Sequence, residues 1–256
     1  MENTLVYEHP LSERIRTLLR IENLFHRLDN YSGSTDLWDM RLTISLLIDL
    51  NDLMKWSDCK TDLAKEMERC RSILSALEGN PGVDSYKLKQ VLSDLNESLE
   101  TMQDNAYVPG AILEKDELIT SIRQKSSVAG GACNFDLPAY HHWLNKSTRF
   151  KQQCLRDWQE DMLTIKKGTN LVLNLIRNNA IATKETAKEG FFQQSVESGT
   201  KYQLIRIVIP TNLKYFPEVS GGKHRVTVRF MEQSETSNRP EQTGNDVEFE
   251  LHFCVS

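Results

Sequence analysis

From Leu11 to Leu28, apolar side chains recur at three- and four-residue steps, with Leu11, Ile15, Leu18, Phe25 and Leu28 forming one stripe. That period puts them on one face of a helix. Pro10 is expected to open it, because the first helical position needs no N–H. Arg16, Arg20 and Arg27 line a different face. Three further leucine-rich stripes predict helices over about 34–56, with Ser34 as N-cap, 60–77 and 84–103. A shorter helix is expected over 113–124. Pro138 pre-shapes another, which Asp136 is expected to cap and which projects His141, His142 and Trp143. A long helix over 147–178 carries Phe150, Cys154, Trp158, Met162, Ile165, Val172 and Ile176 on its stripe.

After Ala180 the period changes from helical to strand-like. Phe191-Phe192, Tyr202–Ile209, Arg225–Met231 and Val247–Phe253 are the strand candidates. Tyr202–Ile209 is apolar on both faces, as a central strand would be. Val247, Phe249, Leu251 and Phe253 alternate with Glu248, Glu250 and His252, as one buried face requires. Gln233 to Asn245 reads as a long polar loop. Helices first and strands last make the fold class α+β: a mainly helical domain over 1–180, whose first residues can pair with the sheet, and a small β-sheet domain over 181–256.

The stretch Ser220-Gly-Gly-Lys-His-Arg-Val-Thr-Val-Arg-Phe230 is the most informative. In a strand, His224, Val226, Val228 and Phe230 fall on one face and Lys223, Arg225, Thr227 and Arg229 on the other. Folding alone does not require such a cationic row. Two readings follow: a docking surface for an acidic or mixed-charge partner, or cross-strand pairs with Glu248 and Glu250. A nucleic-acid-binding module using the same face is the alternative function.

Composition narrows the choice. The 256 residues are 26% charged and 39% hydrophobic, with a net charge of −5, which suits a globular protein rather than a general nucleic-acid binder. Residues 1–105 hold 19 acidic and 12 basic groups, whereas 201–232 hold two acidic and six basic. An acidic partner would be steered to the C-terminal part. Five cysteines without paired spacing imply reduced thiols in the cytoplasm. No signal peptide or membrane span is expected. No phosphate loop, nucleophile elbow or dinucleotide fingerprint is present. Cys133 with His141 and His142 lacks a second ligand pair for zinc. The expectation is a non-enzymatic binding protein without metal or other cofactor.

Several longer motifs carry a resemblance. Tyr7-Glu-His-Pro-Leu-Ser-Glu-Arg-Ile-Arg-Thr-Leu-Leu-Arg-Ile-Glu22, Pro81-Gly-Val-Asp84, Gly130-Gly-Ala-Cys-Asn-Phe-Asp-Leu-Pro138, Leu171-Val-Leu-Asn-Leu-Ile-Arg177 and Tyr215–Phe230 together resemble the ZapD family of bacterial cell-division proteins, in the right order across nearly the whole chain. The resemblance implies a helical domain joined to an antiparallel sheet, a homodimer, and a place at the mid-cell Z ring. It further implies binding of the C-terminal tail of the tubulin-like GTPase FtsZ and bundling of its filaments, with no role for nucleic acid or membrane. By position, the tail contacts it implies are Arg20, His141, Arg225 and Arg229 in a groove between the domains, with Lys223, Lys60 and Lys115 as additions. The family pattern expects arginine where Glu117 stands and a basic residue where Trp56 stands.

Overall fold

The computed structural model describes residues 3–196, 202–222 and 225–255. The chain forms two compact units, one of Met1–Arg16 with Leu173–Ser256 and one of Thr17–Val172. Helices dominate the first two-thirds of the sequence and antiparallel strands the last third, so the fold is α+β.

The sheet unit contains two antiparallel sheets. One has the order β1 (Thr4–Pro10), β4 (Tyr202–Pro210), β8 (Val247–Val255), β2 (Ala180–Ala187); the other has β3 (Phe191–Ser195), β6 (Arg225–Glu232), β5 (Tyr215–Gly221), with β7 (Glu241–Gln242) also on β6. Ile205, Ile207 and Ile209 of β4, Phe249, Leu251 and Phe253 of β8, and Val226, Val228 and Phe230 of β6 belong to one buried cluster. The two sheets thus close on each other through their alternating apolar faces. As its sequence requires, β4 is central, paired to β1 and β8.

Four details of the sheet unit and its entry into α1 differ from the sequence reading. Pro10 ends β1 opposite Leu204 and does not open a helix; α1 (Glu13–Tyr31) starts later, with the Ser12 hydroxyl accepting from the Ile15 N–H at 3.3 Å. The strands β2 and β5 are additional. Most of β2 is exposed at a sheet edge and its polar residues run together, so it lacks the alternation that marks a half-buried strand. Pro217 interrupts the apolar pattern of β5, which is also an edge strand, where proline costs no ladder bond. The polar stretch after Gln233 returns to the sheet, its Thr243 N–H donating to Phe230 O at 3.0 Å. Gly190 permits that approach: its φ is +73°, and a Cβ there would stand 2.6 Å from Thr243 O.

Glu8 anchors the other face of the first sheet. Its carboxylate accepts two bonds from the Arg177 guanidinium, at 2.8 and 2.7 Å, and lies 3.0 Å from Arg206 Nε. All three side chains are four-fifths or so removed from water. Replacing Glu8 by alanine removes the carboxylate that the Arg177 and Arg206 guanidiniums share. Breaking buried pairs of this kind costs about 3–5 kcal/mol; with partial solvent access, about 2–3 kcal/mol is expected for E8A. A lowered urea midpoint checks this, and an unchanged midpoint would show the triad to be energetically idle.

In the helical unit, α2 (Leu37–Trp56) begins two residues later than the sequence suggests. Asp36, not Ser34, is its N-cap, accepting from the Trp38 and Asp39 N–H groups. The helices α3 (Cys59–Ser75) and α4 (Ser85–Gln103) form a hairpin, and Asp84 caps α4. The expected 113–124 helix is two, α5 (Ala111–Glu114) and α6 (Glu117–Lys125), separated by the α6 cap Asp116. Asp136 does not cap α7 (Pro138–Leu144); it pairs with Lys125 at 3.2 Å. The long helix is also broken, into α8 (Thr148–Gln159) and α9 (Leu163–Asn178), by a 3-10 turn at Glu160–Met162. The turn shifts the phase, so α8 buries Lys151, Leu155 and Trp158 while Phe150 is exposed. The Lys151 ammonium donates to Leu144 O at 2.8 Å, satisfying a carbonyl at the end of α7.

Candidate functional site

The cationic row sits on β6, the middle strand of its sheet, with β3 on one side and β5 on the other. Burial of Val226, Val228 and Phe230 turns Arg225 and Arg229 outward, and both are exposed. Four strand residues separate them by about 13 Å. Across the strand, Arg225 faces Ser195, while Arg229 faces Phe191 on one side and Glu218 on the other. Neither arginine forms an ion pair among the described residues. Lys223 and His224 lie outside the described residues.

Glu248 and Glu250 do not neutralise this row. They lie on β8 in the other sheet, opposite Thr186 and Lys184, and Glu250 lies 3.4 Å from His252 Nε2. Among the described residues the cross-strand pairing considered from sequence is therefore absent, and the two arginines are exposed to solvent.

The remaining expected contacts belong to the helical unit. Arg20 is exposed on α1, and Lys115 is exposed just after α5. Lys60 is differently occupied: its ammonium donates to Asp104 O at 2.8 Å and to Tyr107 O at 2.7 Å, and stands 5.5 Å from the Tyr107 ring centre. It fastens α3 to the end of α4, which leaves at most one N–H for a partner. Trp56, the last residue of α2, is 91% exposed. Glu117 opens α6, where a carboxylate suits the positive helix end.

His141 lines a groove of about 810 Å³ between α2, α6 and α7. Its wall continues through Trp38, Arg41, Leu42, Leu137 and Tyr140. The Arg41 guanidinium stands 5.4 Å from the Trp38 ring centre and 5.0 Å from that of Tyr140. Tyr140 stacks on Trp143 at 6.3 Å, Trp143 meets Trp158 at 5.5 Å with the rings tilted, and Trp158 Nε1 donates to Asp116 at 2.9 Å. Burial pushes the Tyr140 hydroxyl up to about 12 against the pull of Arg41, so it stays a neutral donor. At the open end Gly131 makes the turn possible, since a Cβ there would stand 2.5 Å from Lys125 O.

The sequence reading did not single out Trp38, Arg41 or Tyr140. The three-residue step from Trp38 to Arg41, which puts a cation beside an aromatic on one helix face, was the available signal; the approach of Tyr140 needed the fold. Cys133 and His141 line the same groove, yet no group of three or more candidate metal ligands occurs among the described residues. No helix among them is long and apolar enough to cross a membrane.

The family described as ZapD, cell division protein, matches residues 19–229. Several relatives carry the name cell division protein ZapD. That of Methylococcus capsulatus is 34% identical over the full length of both chains. That of Nitrosomonas europaea is 36% identical, covering 98% of this chain and 95% of its own. That of Cupriavidus necator is 35% identical, covering 98% and 99%.

Proposed function

This chain belongs to the ZapD family of cell division proteins, and from that premise we propose that it binds the C-terminal tail of FtsZ and, as a homodimer, cross-links FtsZ filaments in the cytoplasm at the mid-cell Z ring. The role is one of assembly, without catalysis. The observation that carries it is the pair Arg225 and Arg229, exposed on a buried-backed strand and without ion partners among the described residues. Two guanidiniums on a rigid sheet suit carboxylates of an extended peptide, because each presents a planar pair of donors in fixed directions. Arg20, Lys115 and His141, all exposed, are further candidate contacts.

Bundling needs two tail sites on one particle. A two-fold dimer supplies them by symmetry. Tails displayed along a polymer are locally concentrated, so two weak sites acting together can exceed one by about 10²–10⁴. A tail that orders on docking keeps each site weak and reversible.

Co-sedimentation with assembled FtsZ tests the reading directly. The protein is expected to pellet with filaments and to increase their turbidity, and to do neither with FtsZ lacking its last residues. Equal pelleting with the truncated polymer would overturn the reading. Binding through exposed guanidiniums should also weaken severalfold between 50 and 300 mM salt, conditions over which screening shortens from about 14 to about 6 Å. A flat salt titration of tail peptide would remove the arginine pair from the mechanism. Competition by nucleic acid at these salts would favour the nucleic-acid alternative.

A further inference from the structure

We propose that the groove between α2, α6 and α7 is a second peptide-docking site, contained within the helical unit, that takes a carboxylate of the FtsZ tail on Arg41 and an apolar tail side chain against Trp38, Leu42 and Leu137. The inference rests on the tail-binding reading above and adds a site to it.

Charge is the first support. Lys125, Arg41 and His141 line the groove and no Asp or Glu does, although acidic side chains outnumber Lys and Arg by 36 to 31 in the chain. Lys125 is held by Asp136, so Arg41 is the principal cation available to a ligand; it has no ion pair among the described residues. An anionic segment is therefore the complementary occupant.

Preorganisation is the second. Arg41 lies against two aromatic rings, Trp38 at 5.4 Å and Tyr140 at 5.0 Å. Contact with the ring faces restricts the side chain before any ligand arrives and leaves the guanidinium edge to meet a carboxylate. The Tyr140–Trp143–Trp158 cluster behind it is buried and fixed. By contrast Trp38 is 76% exposed. An indole left in water next to a guanidinium that bonds the Tyr140 hydroxyl but has no carboxylate partner among the described residues, on a concave apolar wall, has the composition of an interface anchor.

The size is the third. A groove of about 810 Å³ holds several peptide side chains but no folded domain. The occupant is thus a short extended segment carrying carboxylates beside apolar residues.

Trp38 supplies the readout. In a W56F background it is the one strongly exposed tryptophan of the four, since Trp143 and Trp158 are buried. Titration with synthetic FtsZ tail peptide is expected to shift Trp38 emission to shorter wavelength and to saturate. Arg41→Glu should weaken that transition at least tenfold, and Arg41→Met, which keeps an apolar stem between the rings, should do nearly as much. A scrambled peptide of equal composition should bind more weakly. The double variant Arg225→Glu/Arg229→Glu should retain the Trp38 signal. Peptide binding by the parent with Trp38 silent, or equal affinity for the parent and Arg41→Met, overturns the groove site and leaves the arginine row standing. A Trp38 transition with no effect of the double charge reversal on total binding overturns the row instead. No peptide binding by the parent overturns both.

Discussion

Reversing both charges on β6, Arg225→Glu with Arg229→Glu, should reduce bundling of FtsZ filaments strongly and weaken tail binding at the sheet unit by roughly 10²–10³. Each reversal removes an exposed charge-assisted contact of about 1 kcal/mol and adds repulsion of similar size. Two reversals therefore cost about 3–4 kcal/mol, which is that factor in Kd. The changes should be unequal. Arg229 already faces Glu218 across the ladder, whereas Arg225 faces Ser195 and no carboxylate among the described residues. Arg225→Glu alone is expected to be the more damaging. Both side chains are exposed and the strand's buried residues are untouched, so thermal stability should hold within about 1 kcal/mol. Fluorescence anisotropy of labelled tail peptide, with sedimentation equilibrium on the same samples, separates lost binding from lost assembly. Unchanged anisotropy and unchanged bundling in the double variant would exclude the row as the binding element.

Ending the chain after Asp246 should unfold the sheet unit altogether. The residues lost are β8, which pairs with β4 on one side and β2 on the other. Val247, Phe249, Leu251, Phe253 and Cys254 are all buried. At roughly 1.5–3 kcal/mol for each of the larger side chains, their removal equals the whole stability of a typical domain, about 5–15 kcal/mol. The ladder loss adds to this, since β2 would have no partner in its sheet. The helical unit has its own core of Ile44, Leu47, Leu63, Met67 and Ile165, so helical circular dichroism should largely persist. Limited proteolysis should then cut throughout 180–246 while sparing 17–172. A truncated chain with strand protection intact would contradict the topology.

Much of this architecture is legible in the sequence wherever one face is buried and the other is not. Leucine stripes locate α2, α3 and α4 because their apolar period matches the helix, and the alternation in β6 and β8 separates buried from exposed residues. The same alternation puts Arg225 and Arg229 on the face opposite Val226 and Val228. The pattern fails where solvent takes both sides, as along β2, or where proline sits in an edge strand, as in β5. It also fails where a cap displaces periodicity: Asp116 splits α5 from α6, and the 3-10 turn before α9 resets the stripe so that a lysine, Lys151, is buried. That glutamates on β8 leave the arginines of β6 alone depends on strand order, which no local pattern contains. The Trp38–Arg41–Tyr140 arrangement joins residues a hundred positions apart. Its helical half was visible as a spacing; the third member required α7 to be packed in place by the Lys151 bond and the Trp143–Trp158 contact.

The strand order of the first sheet has a consequence for biosynthesis. Thr4–Pro10 leaves the ribosome some two hundred codons before its partner Tyr202–Pro210 is translated. At roughly 5–20 residues per second, β1 spends on the order of ten seconds or more as an unpaired nascent segment while residues 17–172 emerge and collapse. Codon usage, trigger-factor-like holdases and elongation pauses upstream of Tyr202 would act on this interval, making the yield of native protein sensitive to translation speed.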